Sequence, residues 1–244
     1  MPSRSRKTTA EVLELERLAD SASDVRQVTM GHRVFLSIKR AIVHGRLVPG
    51  YPVSEAELAG QLGVSRQPVR EAFIKLADMG LVEIRPQRGT FIQRISRREV
   101  ENARFLREAI EVAIARRAAE VASAEAVRPL WDLVEDQARC GVLPDHSQFL
   151  ALDDALHHEI ARMADCERGW RLIEDLKAQM DRVRYLSISS ATPADTIVSQ
   201  HRILVQAIAD RSPDAAEAAM RHHLREMLKS LPIVIENNAD AFDL

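Results

Sequence analysis

One stretch constrains the first part of this chain more than any other: Leu58-Ala59-Gly60-Gln61-Leu62-Gly63-Val64-Ser65-Arg66-Gln67-Pro68-Val69-Arg70-Glu71-Ala72. Its pattern predicts helix, tight turn, helix. Leu58 and Leu62 are four apart and share one helix face. Gly63 suits the left-handed position that ends such a helix. Ser65 suits an N-cap, and Pro68 falls in the first turn, where backbone N–H groups lack intrahelical partners. On the second helix Val69, Ala72, Phe73, Leu76 and Ala77 recur at helical spacing and mark a core face. Arg66, Gln67 and Arg70 lie off that stripe near the helix N-terminus. Two readings fit them: a solvated face carrying two arginines, or a helix that enters a major groove N-terminus first and aims these side chains at base edges and phosphates.

The following residues favour the second reading. Leu81 to Arg85 alternates like a strand, Pro86-Gln87-Arg88-Gly89 is turn chemistry, and Thr90-Phe91-Ile92-Gln93 alternates again. A β-hairpin directly after the second helix makes a winged helix-turn-helix with Arg88 at the wing tip. An arginine beside a glycine can enter a minor groove, where the backbone must come close. The residues expected against DNA are Ser65, Arg66, Gln67 and Arg70 from the helix and Arg88, Gly89 and Thr90 from the wing.

Ile42-x-x-Gly45-Arg46-Leu47-x-Pro49-Gly50, then Leu58-Ala59, Gly63-Val64-Ser65-Arg66-x-Pro68-Val69-Arg70-Glu71-Ala72, Gly80-Leu81-Val82 and Arg88-Gly89 resemble the N-terminal domain of GntR-type transcriptional regulators. The family usually has threonine where Gln67 stands, a departure that bears on base preference and not on fold.

The net charge of −2 hides an asymmetry. Residues 1–98 hold 17 Lys+Arg against 10 Asp+Glu, or +7, and residues 99–244 hold 17 against 26, or −9. A basic N-terminal part joined to an acidic remainder fits a nucleic-acid binder attached to something else. Duplex DNA is the expected partner, because the helix needs a wide major groove that A-form RNA lacks.

No apolar run is long enough to span a membrane. The basic start (Arg4, Arg6, Lys7) leads into the charged Glu11–Arg17 segment and not into an apolar signal-peptide core. Cys140 and Cys166 have no CxxC spacing and read as reduced structural thiols, so the expected location is cytoplasmic.

Three segments are expected: a tail over residues 1–26 with weak helical character from Glu11 to Ala19, the winged helix-turn-helix over 27–95, and an all-helical domain over 96–240. The first domain opens with a helix from about Thr29 to His44. Ser96-Arg97-Arg98-Glu99 has capping-box form and opens the second. Helices are predicted near 97–121, 124–139, 147–164, 167–188, 194–210 and 213–236. Thr192-Pro193 and Ser212-Pro213 each place an N-cap before an N1 proline. No strand pattern follows residue 95, so the second domain is an antiparallel helical bundle.

Four residues are odd for a bundle core. Asp153 and His157 fall within or beside the stripe of Phe149, Leu152, Leu156, Ile160 and Met163. His201 sits inside that of Ile197, Leu204, Val205 and Ile208. His223 sits inside that of Ala216, Met220, Met227 and Leu231. Inward Asp and His are costly to bury unless paired. Together they read either as a hydrogen-bonded polar core network or as one oxygen and three imidazole nitrogens suited to a divalent transition metal. His158 and His222 share faces with charged residues and should look outward.

Asp153-x-x-Leu156-His157-x-x-Ile160-Ala161, His201-Arg202-x-Leu204-x-x-Ala207-Ile208-x-Asp210 and Ala215-Ala216-x-x-Ala219-Met220-x-x-His223-Leu224, with Arg107-x-x-Ile110-Glu111 in the first helix, resemble the FCD effector domain of the FadR-type branch of GntR regulators. Leu156 and Asp165-Cys166 depart from residues common beside the ligands and leave the ligand set intact. The resemblance implies an all-helical bundle whose divalent metal is held by Asp153, His157, His201 and His223; zinc, nickel and manganese are the candidates. It further implies a small organic-acid effector bound against the metal, with its other oxygen on an arginine fork. Arg107 is the first candidate for the fork and Arg184 a weaker one, with Arg182 read as a salt bridge.

The expected function is a ligand-responsive repressor that binds a near-palindromic operator as a homodimer. Two rivals remain at this point: a metal-dependent hydrolase fused to a DNA-binding domain, with Glu111 as its only candidate base, and a regulator whose metal is purely structural.

Overall fold

The structure is a computed structural model that describes residues 29–141, 146–188 and 190–243. The helix expected over Glu11–Ala19 lies outside the described residues. The chain divides into two compact units, one running to Ile95 and including Asp240–Asp243, the other spanning Ser96–Ala239.

In the first unit, α1 (Met30–Val43) begins at Thr29, whose side chain accepts from the His32 amide, and buries Val34, Ile38, Ala41 and Ile42. A short strand β1 (Pro52–Val53) precedes α2 (Glu55–Leu62), which Ser54 caps through the Glu57 amide at 3.5 Å. Gly63 ends α2 in the left-handed region, φ 65°, as its position demands. Helix α3 (Arg66–Asp78) buries Val69, Ala72, Phe73 and Leu76. Ser65 stands at its N-cap, but its side chain makes no capping hydrogen bond. Strands β2 (Val82–Arg85) and β3 (Gly89–Ile92) form the hairpin, and β1 adds to it antiparallel in the order β1-β3-β2. A strand as short as β1 leaves no alternation for a sequence pattern to show.

The second unit is helical: α4 (Arg97–Val121), α5 (Ala124–Cys140), α6 (Ser147–Met163), α7 (Glu167–Leu176), α8 (Ala178–Ile188), α9 (Ala194–Ala209) and α10 (Pro213–Asn237). Ser96 caps α4 through the Glu99 amide at 3.3 Å. Helices α4 and α10 pack on each other most extensively, and α5 packs on α6 and α9. Val112, Leu130, Val134, Phe149, Leu156, Ile160, Trp170 and Ile208 lie in one core.

Three local expectations are corrected. The helix predicted over 167–188 is interrupted at Lys177, whose ψ of −2° breaks the regular helix; its ammonium is buried against Asp154 and Asp181. At the start of α9 the N-cap is Pro193 and not Thr192, which is buried. A strand does occur after residue 95: Phe242–Asp243 (β5), reached through a 3-10 turn at Ala239–Ala241, pairs with Ile95–Ser96 (β4). Phe242 is 1% exposed, so this C-terminal strand is anchored by burial and not by a strand-forming pattern.

Candidate functional site

Helix α3 presents Ser65, Arg66, Gln67 and Arg70 as exposed side chains, on the side opposite its buried stripe. Gln67 Nε2 donates to Glu71 Oε1 at 3.0 Å, which ties the glutamine along the helix. Arg88 and Gly89 are exposed at the wing tip, where the Arg88 amide closes a turn on the Arg85 carbonyl at 3.0 Å and Gly89 takes φ 102°. Thr90 departs from expectation: it is buried, because the two-residue alternation of β3 turns residues 90 and 92 inward. Its side chain is not offered to a partner.

In the helical unit, α6 carries Asp153 and His157 one turn apart, α9 carries His201 and α10 carries His223. One ligand atom from each lies within 4.8 Å of all the others. His157 Nε2 and His223 Nε2 are 3.2 Å apart, His201 Nε2 and His223 Nε2 3.4 Å. Asp153 reaches His201 Nε2 at 3.5 Å and His157 Nε2 at 3.8 Å. His158 and His222, the outward pair, are exposed.

The outer partners decide which way the imidazoles face. Gln137 on α5 gives its NH2 to the Phe149 carbonyl at 3.4 Å, so its Oε1 faces His201 Nδ1 at 2.6 Å. Gln200 gives its NH2 to Glu226 at 3.1 Å, so its Oε1 faces His223 Nδ1 at 3.0 Å. Glu111 on α4 pairs with His157 Nδ1. The two amide oxygens have no proton to give, so Nδ1 of His201 and of His223 is the donor and Nε2 of each is left with a lone pair; Nδ1 of His157 faces the Glu111 carboxylate. Burial pushes His201 down to about 4, against the pull of Asp153, and lowers His223 well below its usual range with help from the neighbouring imidazoles. Asp153 is held well below the usual carboxylate range because the Arg184 guanidinium outweighs its burial. Nε2 lone pairs and a carboxylate therefore converge with no proton between them. That arrangement is repulsive by itself, and a cation at its centre would relieve the repulsion. Metal–nitrogen bonds of about 2.0–2.1 Å at tetrahedral angles put ligand atoms roughly 3.3–3.4 Å apart, close to the separations here. The donor set fits a divalent metal.

Beside the cluster is a cavity of about 60 Å³, room for a few waters or a small ligand. Its lining includes the polar Arg104, Arg107, Asp153, Arg184, His223 and Glu226 and the apolar Leu150, Met180, Ile188, Ile197 and Leu224. Arg107 gives Nε to Glu111, and its Nη2 is buried without a hydrogen-bond partner. Arg184 takes Asp153 through Nη2 and, through Nη1, Asp154 at 2.9 Å and Asp181 at 2.8 Å. Arg182 is buried and not on a surface: it is 3% exposed, donates to Gln179 at 3.2 Å, and is pushed down to about 10 by burial. The orienting amides Gln137 and Gln200 were not singled out from sequence. Gln137 sits in the Leu130–Val134 stripe of α5 with no exposure, and an inward amide there was the available signal.

The chain's sequence matches two family patterns, the bacterial regulatory proteins of the gntR family over residues 31–92 and the FCD domain over residues 103–226. The chain belongs to the GntR family and carries an FCD domain. It is 40% identical over 213 residues to the HTH-type transcriptional repressor RspR of Escherichia coli K12, covering 87% of this chain and 93% of that protein. It is 33% identical over 204 residues, 83% of this chain and 88% of the relative, to a Paenarthrobacter nicotinovorans protein named "Probable D-xylose utilization operon transcriptional repressor". In fold it is similar to E. coli McbR/YncC, with TM-score 0.73, 19% identity and coverage of 86% and 99% of the two chains. A GntR regulator from Rhodococcus sp. RHA1 gives TM-score 0.67 at 21% identity, covering 84% and 97%. This GntR regulator is a transcription factor of a family that includes repressors, and not an enzyme. The hydrolase reading falls accordingly, and Glu111, spent on His157 and Arg107, is not placed as a free base. No helix among the described residues is long and apolar enough to cross a membrane.

Proposed function

We propose that this GntR regulator is a cytoplasmic repressor that binds a near-palindromic operator as a homodimer and is released by a small carboxylate bound at a metal centre in its FCD domain. The observation that carries the reading is the convergence of the His157, His201 and His223 Nε2 atoms on Asp153 beside a cavity that also holds an unpartnered guanidinium nitrogen of Arg107. When bound, a zinc, nickel or manganese ion supplies a Lewis-acid centre to which a carboxylate can coordinate.

The chain's own groups favour an anion there. Glu111, Asp153, Asp154 and Asp181 stand against Arg107, Arg184 and Lys177 in the buried network around the cluster, a balance of −1. A divalent ion makes that +1, and one carboxylate neutralises it. Arg107 Nη2 takes one carboxylate oxygen, while Arg184 holds Asp153 in place and adds its charge. The apolar lining residues Leu150, Met180, Ile188, Ile197 and Leu224 suit a short carbon chain. At the other end of the chain Arg66 and Arg70 read base edges and phosphates, and Arg88 with Gly89 enters the minor groove. Effector binding shifts the equilibrium between operator-competent and incompetent forms.

The test is operator binding by wild type and Arg107→Ala across a panel of small organic acids. One acid should release the wild type, and Arg107→Ala should need far more of it while keeping its metal. An unaltered response in Arg107→Ala would remove that arginine from the pocket.

A further inference from the structure

We propose that Glu111 is a positioning residue that sets the donor strength of the metal ligand His157, and that its ion pair with Arg107 ties this setting to the occupancy of the pocket. The proposal rests on the metal reading above and concerns how the site is tuned.

The three imidazoles are not held alike. His201 and His223 give their Nδ1 protons to neutral amides, those of Gln137 and Gln200. His157 places its Nδ1 against a carboxylate oxygen of Glu111, and neither atom has any other hydrogen-bond partner. A charged acceptor makes the stronger hydrogen bond and draws the proton further from the ring. The opposite ring nitrogen then becomes the better electron donor. Glu111 is buried with 2% exposure between the Arg107 guanidinium and the His157 imidazole. The carboxylate thus divides its charge between two partners.

The second partner reaches the pocket. Arg107 and Glu111 are four apart on α4, and the guanidinium binds Glu111 through Nε. Its Nη2 is buried with no partner, and Arg107 lines the cavity with Asp153 and His223. An anion that takes Nη2 draws on the same positive charge that quiets Glu111. With less of that charge, Glu111 pulls harder on the Nδ1 proton and His157 Nε2 grips the metal more tightly. No backbone has to move for this to happen. By reciprocity, the metal raises the pocket's affinity for the anion.

The test is zinc affinity of the full chain by chelator competition, in wild type, Glu111→Gln, Arg107→Met and the double variant. Glu111→Gln gives His157 a neutral amide acceptor and should weaken zinc binding about ten- to hundredfold. In that zinc-loaded variant the 15N resonance of His157 Nδ1 should move toward those of His201 and His223. The double variant restores the charge balance yet should keep at least a tenfold loss relative to wild type. Arg107→Met should bind zinc as tightly as wild type or more so. Wild-type affinity in Glu111→Gln, or its return in the double variant, would show that Glu111 is only a counter-charge, and the proposal would be wrong. Weaker zinc binding in Arg107→Met would overturn the link to the pocket. A wild type that binds no zinc, nickel or manganese would instead overturn the metal reading beneath it, a distinguishable result.

Discussion

Acidifying the metal-free protein should destabilise its helical unit, and His201 supplies the size of the effect. The imidazole has no exposure, and burial pushes it from an ordinary 6.5 down to about 4. Above pH 6.5 it is neutral in both folded and unfolded chains and contributes nothing to pH dependence. Below 6.5 the unfolded chain takes up the proton and the folded one does not, so stability falls until the pH passes about 4. At 1.36 kcal/mol per unit the full loss is about 3 kcal/mol, of which about 2 kcal/mol has gone by pH 5. His223 is shifted in the same direction and adds to it. Against a typical domain stability of about 5–15 kcal/mol this is a large fraction.

Both tryptophans, Trp131 and Trp170, lie in the helical unit, so their fluorescence follows that unit alone. Urea unfolding of chelator-treated protein at pH 7 and pH 5 reads the difference. His201→Gln removes the titration and should lose less stability between the two pH values than wild type does. Equal losses in the two proteins would refute the reasoning from burial. Saturating metal should flatten the wild-type profile, because bound metal excludes the proton.

Two further outcomes are expected. Arg66→Ala or Arg70→Ala should weaken operator binding by about 1–3 kcal/mol if each arginine contacts a base through two bonds, measured by titration of labelled operator; unchanged affinity would remove α3 from the interface. Phe242→Ala, at a site with 1% exposure, should destabilise the N-terminal unit by about 3–5 kcal/mol in calorimetry; an unshifted transition would mean that β5 does not contribute to that unit.

Much of the fold was legible because its signals are local. Gly63, the stripe of Val69, Ala72, Phe73 and Leu76, and the turn at Pro86-Gln87-Arg88-Gly89 each act within a few residues. Helix ends were legible for the same reason at Ser96, whose hydroxyl caps Glu99. The features that escaped depend on partners distant in sequence. β5 exists because Phe242 finds a buried seat and β4 an open edge. The break at Lys177 sits beside Asp154 on a different helix, and nothing in the Glu167–Ile188 sequence announces that pairing. Thr90 is a smaller case: the alternation that made β3 legible also turned its side chain inward.

The candidate metal site divides the same way. Asp153, His157, His201 and His223 stood out because polar residues interrupt apolar stripes. Gln137 and Gln200 escaped because an amide in a stripe has many uses, and only the Phe149 carbonyl and Glu226 carboxylate show which end of each faces the imidazole. Arg184 was legible as a charged residue near the site, but its three carboxylate partners come from two helices and emerge only in three dimensions.

Whether Asp153 and the three histidines hold a metal is read by elemental analysis of the purified protein, wild type beside His223→Ala. About one divalent transition metal per chain is expected in the wild type and little in the variant. Absence of metal from a wild type offered zinc, nickel and manganese, or equal content in the two proteins, would contradict it and leave Asp153 and the three histidines as a polar core network.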